Sequence, residues 1–300
     1  MCGINFKKPE IEDVNRLRDF LSDAGVNACD YTPANLYLWS EVYNTEIAYT
    51  EHALYIRYMN DGEYYFSFPI VKKRLKEAFD NLMHDCERKE TAFQLGIVEP
   101  WMFEIIDKLY PGQFKITYNR DSADYVYSTE LLAALAGKKY HGKKNHINKF
   151  KKTYEKWTYE SINRENRLEC IEMVKSWGME NDCFNDRSKA DEMCIMIKGI
   201  KHMEELSMKG GLIRIGDKVA AVTLGEPVND KMFVIHFEKA FANIQGAYPM
   251  INQQFILHEL MDYEYVNREE DMGLEGLRKA KESYNPELMV QKGVVTRKDG

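Results

Sequence analysis

No stretch of this 300-residue chain approaches the ~18 consecutive apolar residues a membrane-spanning helix needs. Its opening, Met-Cys-Gly-Ile-Asn-Phe-Lys-Lys, lacks the apolar run and cleavage site of a secretion signal, so a cytoplasmic protein is expected. The six cysteines (Cys2, Cys29, Cys86, Cys170, Cys183, Cys194) form no C-x-x-C pair, and no Cys or His stands at zinc-site spacing. Isolated thiols in a reducing compartment, with no bound metal, are the expectation. With only 8 Pro and 18 Gly, the chain is neither a disordered tail nor a collagen-like repeat. Basic residues are outnumbered, giving a net charge of −7 that argues against indiscriminate nucleic-acid binding. What remains is 44% apolar, with 19 Tyr and 14 Phe. That is material for two cores of about 150 residues each.

Hydrophobic spacing predicts a helix carrying Val14, Leu17 and Leu21, and another after Pro33 with Leu36, Trp39 and Tyr43. Strands follow at 46–50, 53–59 and 63–70, with Asn60-Asp61-Gly62 as a hairpin turn. Then come a helix over Lys72–Glu90, a strand at 92–97, a helix at 100–109 and a strand at 113–118. Residues 119–139 connect the halves, with Ser128 as an N-cap, Glu130 in the first turn and Gly137 as a stop. The second half predicts helices over 141–156, 164–180 and 187–207, and strands at 211–215, 218–225 and 231–238. A helix from Pro249 to Asp262, a strand at 264–267, a helix at 273–281 and a strand at 288–296 complete it. The element order repeats, so a mixed α/β (α+β) protein of two similar halves is expected: 1–127, a connecting helix over 128–139, and 140–300.

Three segments carry candidate chemistry. Residues 138–156 hold eight lysines and one acid, with Ile147, Phe150, Tyr154 and Trp157 as an apolar stripe. Such charge density suits a phosphate-rich partner, the alternative being an ordinary solvated face. His141 and His146 have no acid or thiol nearby and read as polar surface. The strand around Phe233–Glu238 places Phe233, Ile235 and Phe237 on one face and His236 and Glu238 on the other. Past Gln245-Gly246-Ala247, a helix beginning at Pro249 offers free N–H groups to an anion. The third segment, Asn267–Pro286, sets Arg278 and Lys281 one helical turn apart, able to clamp phosphate or carboxylate, or simply to form salt bridges.

Lys138–Phe150, Tyr248-Pro249-Met250-Ile251-Asn252, and Val266–Asp271 through Tyr284-Asn285-Pro286 together resemble the phosphatidylglycerol lysyltransferase C-terminal-domain family. The resemblance implies two tandem GNAT-like acyl-CoA N-acyltransferase domains, related to Fem-type peptidyltransferases. Each would be a mixed, mostly antiparallel sheet flanked by helices, with the active cleft in the second. It implies transfer of an aminoacyl group from aminoacyl-tRNA to an amine or hydroxyl by direct attack, with no permanently bound cofactor. Better-known members join this unit to membrane helices and modify lipid, and this sequence shows no such helices. Gln245-Gly246-Ala247-Tyr248-Pro249 also departs from the Gln/Arg-x-x-Gly-x-Gly/Ala loop that cradles the CoA pyrophosphate, which disfavours acetyl-CoA as donor.

An aminoacyl- or acyltransferase is therefore the first expectation. Glu238 or His236 would accept the amine proton, and Lys239, Tyr248 or the backbone at the helix start would face the oxyanion. Lys143, Lys144 and Lys149, with Asn145 and Asn148 on the same helix, would hold tRNA or another polyphosphate. Asn252, Arg268, Arg278 and Lys281 would position a small-molecule or peptide acceptor. An acetyl-CoA-dependent N-acetyltransferase, or a noncatalytic ligand- or RNA-binding module on the same fold, stays open beside it.

Overall fold

The computed structural model describes residues 3–298, so Cys2 lies outside the described residues. The chain divides into two compact units: residues up to Asp124 with Glu270–Gly273 and Met289 onward, and Tyr125–Glu269 with Leu274–Leu288.

In the first unit, α1 (Val14–Leu21) buries Val14, Leu17, Phe20 and Leu21, the apolar residues of one helical face. The short α2 (Pro33–Leu38) starts on Pro33, whose missing N–H costs nothing in a first turn. It stops before Trp39 and Tyr43, expected on it, whose rings instead pack 5.5 Å apart beyond its end. Strands β1 (Glu46–Tyr49), β2 (Ala53–Asn60) and β3 (Glu63–Phe66) form a meander. Asp61 and Gly62 both take positive φ, as a tight hairpin turn demands. The strand expected over 63–70 breaks before Pro69, which has no N–H for a ladder, and resumes as β4 (Ile70–Val71). Then follow α3 (Leu75–Arg88), β5 (Gln94–Val98), α4 (Pro100–Leu109) and β6 (Phe114–Tyr118).

The second unit takes in β7 (Asp124–Ser128), α5 (Thr129–Ala134), α6 (His141–Thr153), β8 (Trp157–Ser161), α7 (Arg167–Glu180) and α8 (Arg187–Lys201). The Ser128 hydroxyl accepts from the Leu131 N–H, the expected cap. After these come β9 (Lys209–Ile215), β10 (Lys218–Asn229), β11 (Met232–Ala240) and α9 (Ala247–Phe255), which runs on through a π-helical turn to Leu260. The chain ends with β12 (Tyr265–Asn267), α10 (Glu275–Glu282), β13 (Leu288–Val290) and β14 (Gly293–Arg297).

The sheet orders are β1-β2-β3-β5-β14-β6, with β4 on β2, and β13-β7-β12-β11-β10-β9-β8. Both are mixed, mostly antiparallel and flanked by helices, the expected class. The linear division at 128 and 140 does not describe them. The strand expected at 288–296 is two strands, and β14 lies in the first sheet between β5 and β6. Conversely β7, read as part of a connector, lies in the second sheet beside β12. Each sheet is thus completed by a strand from the other half of the sequence.

Among the irregularities of the second sheet, two on β11 shape the site. Parallel β11 and β12 pair only over Met232–Val234 and Tyr265–Asn267, so the rest of β11 leaves a wedge. Opposite β10, the register slips: Leu224 pairs with Phe237 and Gly225 with Ile235, leaving His236 as the extra residue of a bulge. The strict alternation expected along 233–238 is broken there. A Cβ on Gly225 would stand 2.0 Å from the Val234 carbonyl oxygen. We therefore expect Gly225→Ala to destabilise the protein by about 3 kcal/mol, the upper end for overpacking, because backbone yields less than a side chain. Thermal or denaturant unfolding checks this.

Candidate functional site

Glu238, near the free end of β11, accepts hydrogen bonds on both carboxylate oxygens. Arg268 Nη2 donates to Oε1 at 3.1 Å, and Asn252 Nδ2, on α9, donates to Oε2 at 2.9 Å. The Arg268 guanidinium lies 4.7 Å from the Tyr284 ring centre and 5.8 Å from that of Tyr127. Lys143, on the inner side of α6, brings its Nζ to 4.0 Å from the Tyr284 ring. Burial, with Arg268 adding repulsion against the pull of Glu238, lowers the Lys143 pKa to about 8. Burial also pushes the Tyr284 phenol up to about 12, with Arg268 opposing. Arg268 Nη1 is buried without a hydrogen-bond partner. The wedge of the second unit thus presents an unsatisfied cationic donor, a lysine that titrates near neutrality, and a carboxylate orienting its neighbours.

Four of the residues singled out in the sequence meet here: Lys143, Asn252, Glu238 and Arg268. Lys281 contributes from behind, its Nζ donating to the Arg268 carbonyl oxygen at 2.5 Å. That bond fixes the arginine's backbone, in place of the phosphate clamp expected with Arg278, which sits half-buried on α10. Tyr127 and Tyr284 are the site residues that sequence reasoning missed. The only signal for Tyr127 was the three-residue aromatic and β-branched run Tyr125-Val126-Tyr127 ahead of a capping serine.

The other expected catalytic groups do something else. His236 is enclosed, its Nδ1 2.8 Å from Glu269 Oε1 and its Nε2 3.0 Å from Glu226 Oε1. Burial works against its charge, but the hydrogen bonds of Glu226 and Glu269 prevail and raise its pKa to about 10. An imidazolium with both N–H groups engaged cannot take a proton from an amine, which removes it as the base. Lys239 pairs with Glu192 at 2.7 Å and lies over the Trp177 ring at 4.4 Å, spent in a packed ion pair instead of facing an oxyanion. Tyr248 stands in the first turn of α9, its phenol raised by burial, with the Ala240 backbone and Trp177 opposing. The helix begins at Ala247, two residues earlier than expected, and Gly246 faces the His146 carbonyl of α6. A Cβ there would stand 2.6 Å from that oxygen. Lys144, Asn145, Asn148 and Lys149 lie on α6 away from the wedge. That helix ends at Thr153, short of the expected 156, and Trp157 begins β8.

The first unit holds a second ionic cluster. Lys292 Nζ lies 2.8 Å from Asp30, 2.8 Å from Asp124 and 3.1 Å from Glu270. Cys29, Asp124 and Glu270 are close enough to share a metal ion. The ammonium stands among them, and burial, reinforced by Asp124, holds the Cys29 thiol protonated. The cluster is a satisfied internal ion network.

The raised pKa of His236 sets how its cluster depends on pH. The value climbs on folding from about 6.5, so the contribution to stability is complete below about pH 6.5 and gone above about 10. We expect the His236 ring signals in an NMR titration to stay those of an imidazolium through pH 8. His236→Gln should cost stability at pH 6 and progressively less as pH rises toward 10.

The phosphatidylglycerol lysyltransferase C-terminal family matches residues 24–294. A solved protein of unknown function from Bacteroides thetaiotaomicron is 32% identical, with a TM-score of 0.93 over 98% of this chain and 100% of that one. The C-terminal domain of a putative lysylphosphatidylglycerol synthetase from Agrobacterium fabrum shares the fold at 12% identity, with a TM-score of 0.65 over 96% of this chain and 92% of that one. An uncharacterised protein of Mycoplasmoides gallisepticum is 26% identical over 182 residues, 59% of this chain and 57% of that protein's length. No helix among the described residues is long and apolar enough to cross a membrane. The chain belongs to the phosphatidylglycerol lysyltransferase C-terminal family.

Proposed function

We propose that the protein moves an aminoacyl group from its ester on tRNA to an amine or hydroxyl acceptor, in the wedge of the second unit. One observation carries this reading. Helix α6 turns a lysine of lowered pKa inward toward Arg268 and Glu238, while Lys144, Lys149, Lys151 and Lys152 face solvent. A single helix thereby joins a proton-transfer group to a polyanion-binding face.

The chemistry asks little of the protein. The acceptor nitrogen or oxygen attacks the ester carbonyl carbon, and charge builds on the carbonyl oxygen. The acyl–oxygen bond then breaks, leaving an amide or a new ester and a free ribose hydroxyl. Arg268 Nη1 supplies the unused donor for the developing oxyanion, held in aim by Glu238 through Nη2. Lys143, half neutral near pH 8, takes the acceptor's proton and returns it to the departing hydroxyl. Asn252 keeps Glu238 from turning toward the substrate. No covalent enzyme intermediate is required.

The test is transfer of a labelled amino acid from charged tRNA to soluble amine and hydroxyl acceptors, with acetyl-CoA assayed in parallel. Arg268→Ala should lower kcat by about 10²–10³-fold, the usual loss for one oxyanion donor. Changing Lys144, Lys149, Lys151 and Lys152 to Gln should raise KM with kcat preserved. Each phosphate contact so lost should flatten the salt dependence of tRNA binding by about 0.7–0.9 in log–log slope. Turnover of acetyl-CoA with no response to charged tRNA would replace the donor. Binding of charged tRNA without product would make this a recognition module.

A further inference from the structure

We propose that His236 is a positioning residue: held between Glu226 and Glu269, it pins the backbone that follows Arg268 and so sets where the guanidinium stands in the wedge. This rests on reading the wedge as the transfer site, but its own test does not need turnover.

Strands β11 and β12 part after Val234 and Asn267, their last paired residues, and beyond these no ladder bond ties one strand to the other. Two residues further along stand His236, still on β11, and Glu269, in the loop past the end of β12, joined at 2.8 Å across the gap. His236 reaches that place because it is the bulge residue, and bulges re-aim side chains at such sites. On its other side Glu226, on β10, takes the second ring nitrogen at 3.0 Å. Both the His236 and Glu226 side chains are almost fully buried.

Glu269 needs this hold. It takes a φ of +60°, a conformation that a non-glycine residue adopts only when its surroundings impose it. Its N–H is tied to Asn267 Oδ1 at 2.7 Å, and its carbonyl oxygen accepts from the Tyr125 N–H at 3.1 Å. Arg268, between them, bonds the Tyr125 carbonyl through its N–H and accepts from Lys281. The main chain on either side of Arg268 is therefore fixed, and His236 supplies a side-chain tie across the wedge beside the bond from Arg268 to Glu238. The main-chain ties run to β7 or α10 or stay within the loop. The one to His236 reaches the strand that carries Glu238, so it links the backbone position of Arg268 to that of Glu238.

The readout is the titration of Lys143. Apart from its burial, the charges that set its pKa are Arg268, which lowers it, and Glu238, which raises it; the Tyr284 ring lies against it as an uncharged phenol. If the pin is removed and Arg268 swings away, repulsion falls and Glu238 loses its partner, so both changes push Lys143 upward. In ¹³C-lysine-labelled protein, with the signal assigned through Lys143→Arg, we expect a midpoint near 8 in the parent chain. It should rise by about one unit in His236→Gln. The double change His236→Gln with Glu226→Gln should return it toward 8, since the amide can then donate to Glu269 without a second buried carboxylate facing it. If His236→Gln does not fold, Glu269→Ala removes the acceptor from a side chain that is 25% exposed, with a shift in the same direction. A folded, cooperatively unfolding variant whose Lys143 still titrates near 8 overturns the pin and leaves the transfer reading intact. Absence of aminoacyl transfer by the parent chain strikes the transfer reading alone and leaves the pin standing.

Discussion

The second unit depends on two parallel strands being kept apart. A sheet gains by extending its ladder, and β11 has six further residues that β12 leaves unpaired. Across that gap stands charge. The imidazolium of His236 on β11 meets the Glu269 carboxylate beyond the end of β12 and the Glu226 carboxylate on β10, and burying these groups is tolerable only while each finds its partner. The parting of the strands is thus spanned by a buried ionic contact where ladder bonds end.

That constraint explains the division of labour along β11. His236, enclosed on both nitrogens, is structural and stays charged well above neutral pH. Two residues on, at the edge of the same opening, Glu238 keeps partial access and orients Arg268 and Asn252. Lys239 follows at once and is used up against Glu192 and Trp177. Three neighbouring ionisable groups on one strand therefore have three fates, decided by what each finds within about 3 Å and not by residue type.

This is also why the sequence was legible in some places and silent in others. Helix faces such as Leu75–Arg88 and Pro100–Leu109 are written in local periodicity, and the structure has them within a few residues. The Asp61-Gly62 turn is local too. The placement of β7 and β14 is not, because a strand of five residues carries no mark of which sheet it joins. For the same reason Tyr127 gave no sign of its nearness to Arg268. The site's motifs were visible as unusual local composition, and Lys143 was picked out for its charge. Its lowered pKa was not readable, since it comes from burial beside an arginine 125 positions away. His236 was misjudged as a base because its partners lie 10 and 33 residues distant.

The two buried ionic clusters show by contrast what sets the site apart energetically. Around Lys292 the ammonium meets three carboxylates at 2.8–3.1 Å, and around His236 both N–H groups are taken. Neither cation has anything left to offer a ligand. Arg268 differs: one of its terminal nitrogens is buried with no acceptor, a deficit worth about 1–3 kcal/mol in a folded protein. Glu238, Lys281 and two aromatic rings nevertheless hold this donor in place, and the proposed reading assigns it to an oxygen atom brought by the substrate. Under the proposed transfer reading, the unsatisfied group marks the place where the substrate would complete the structure.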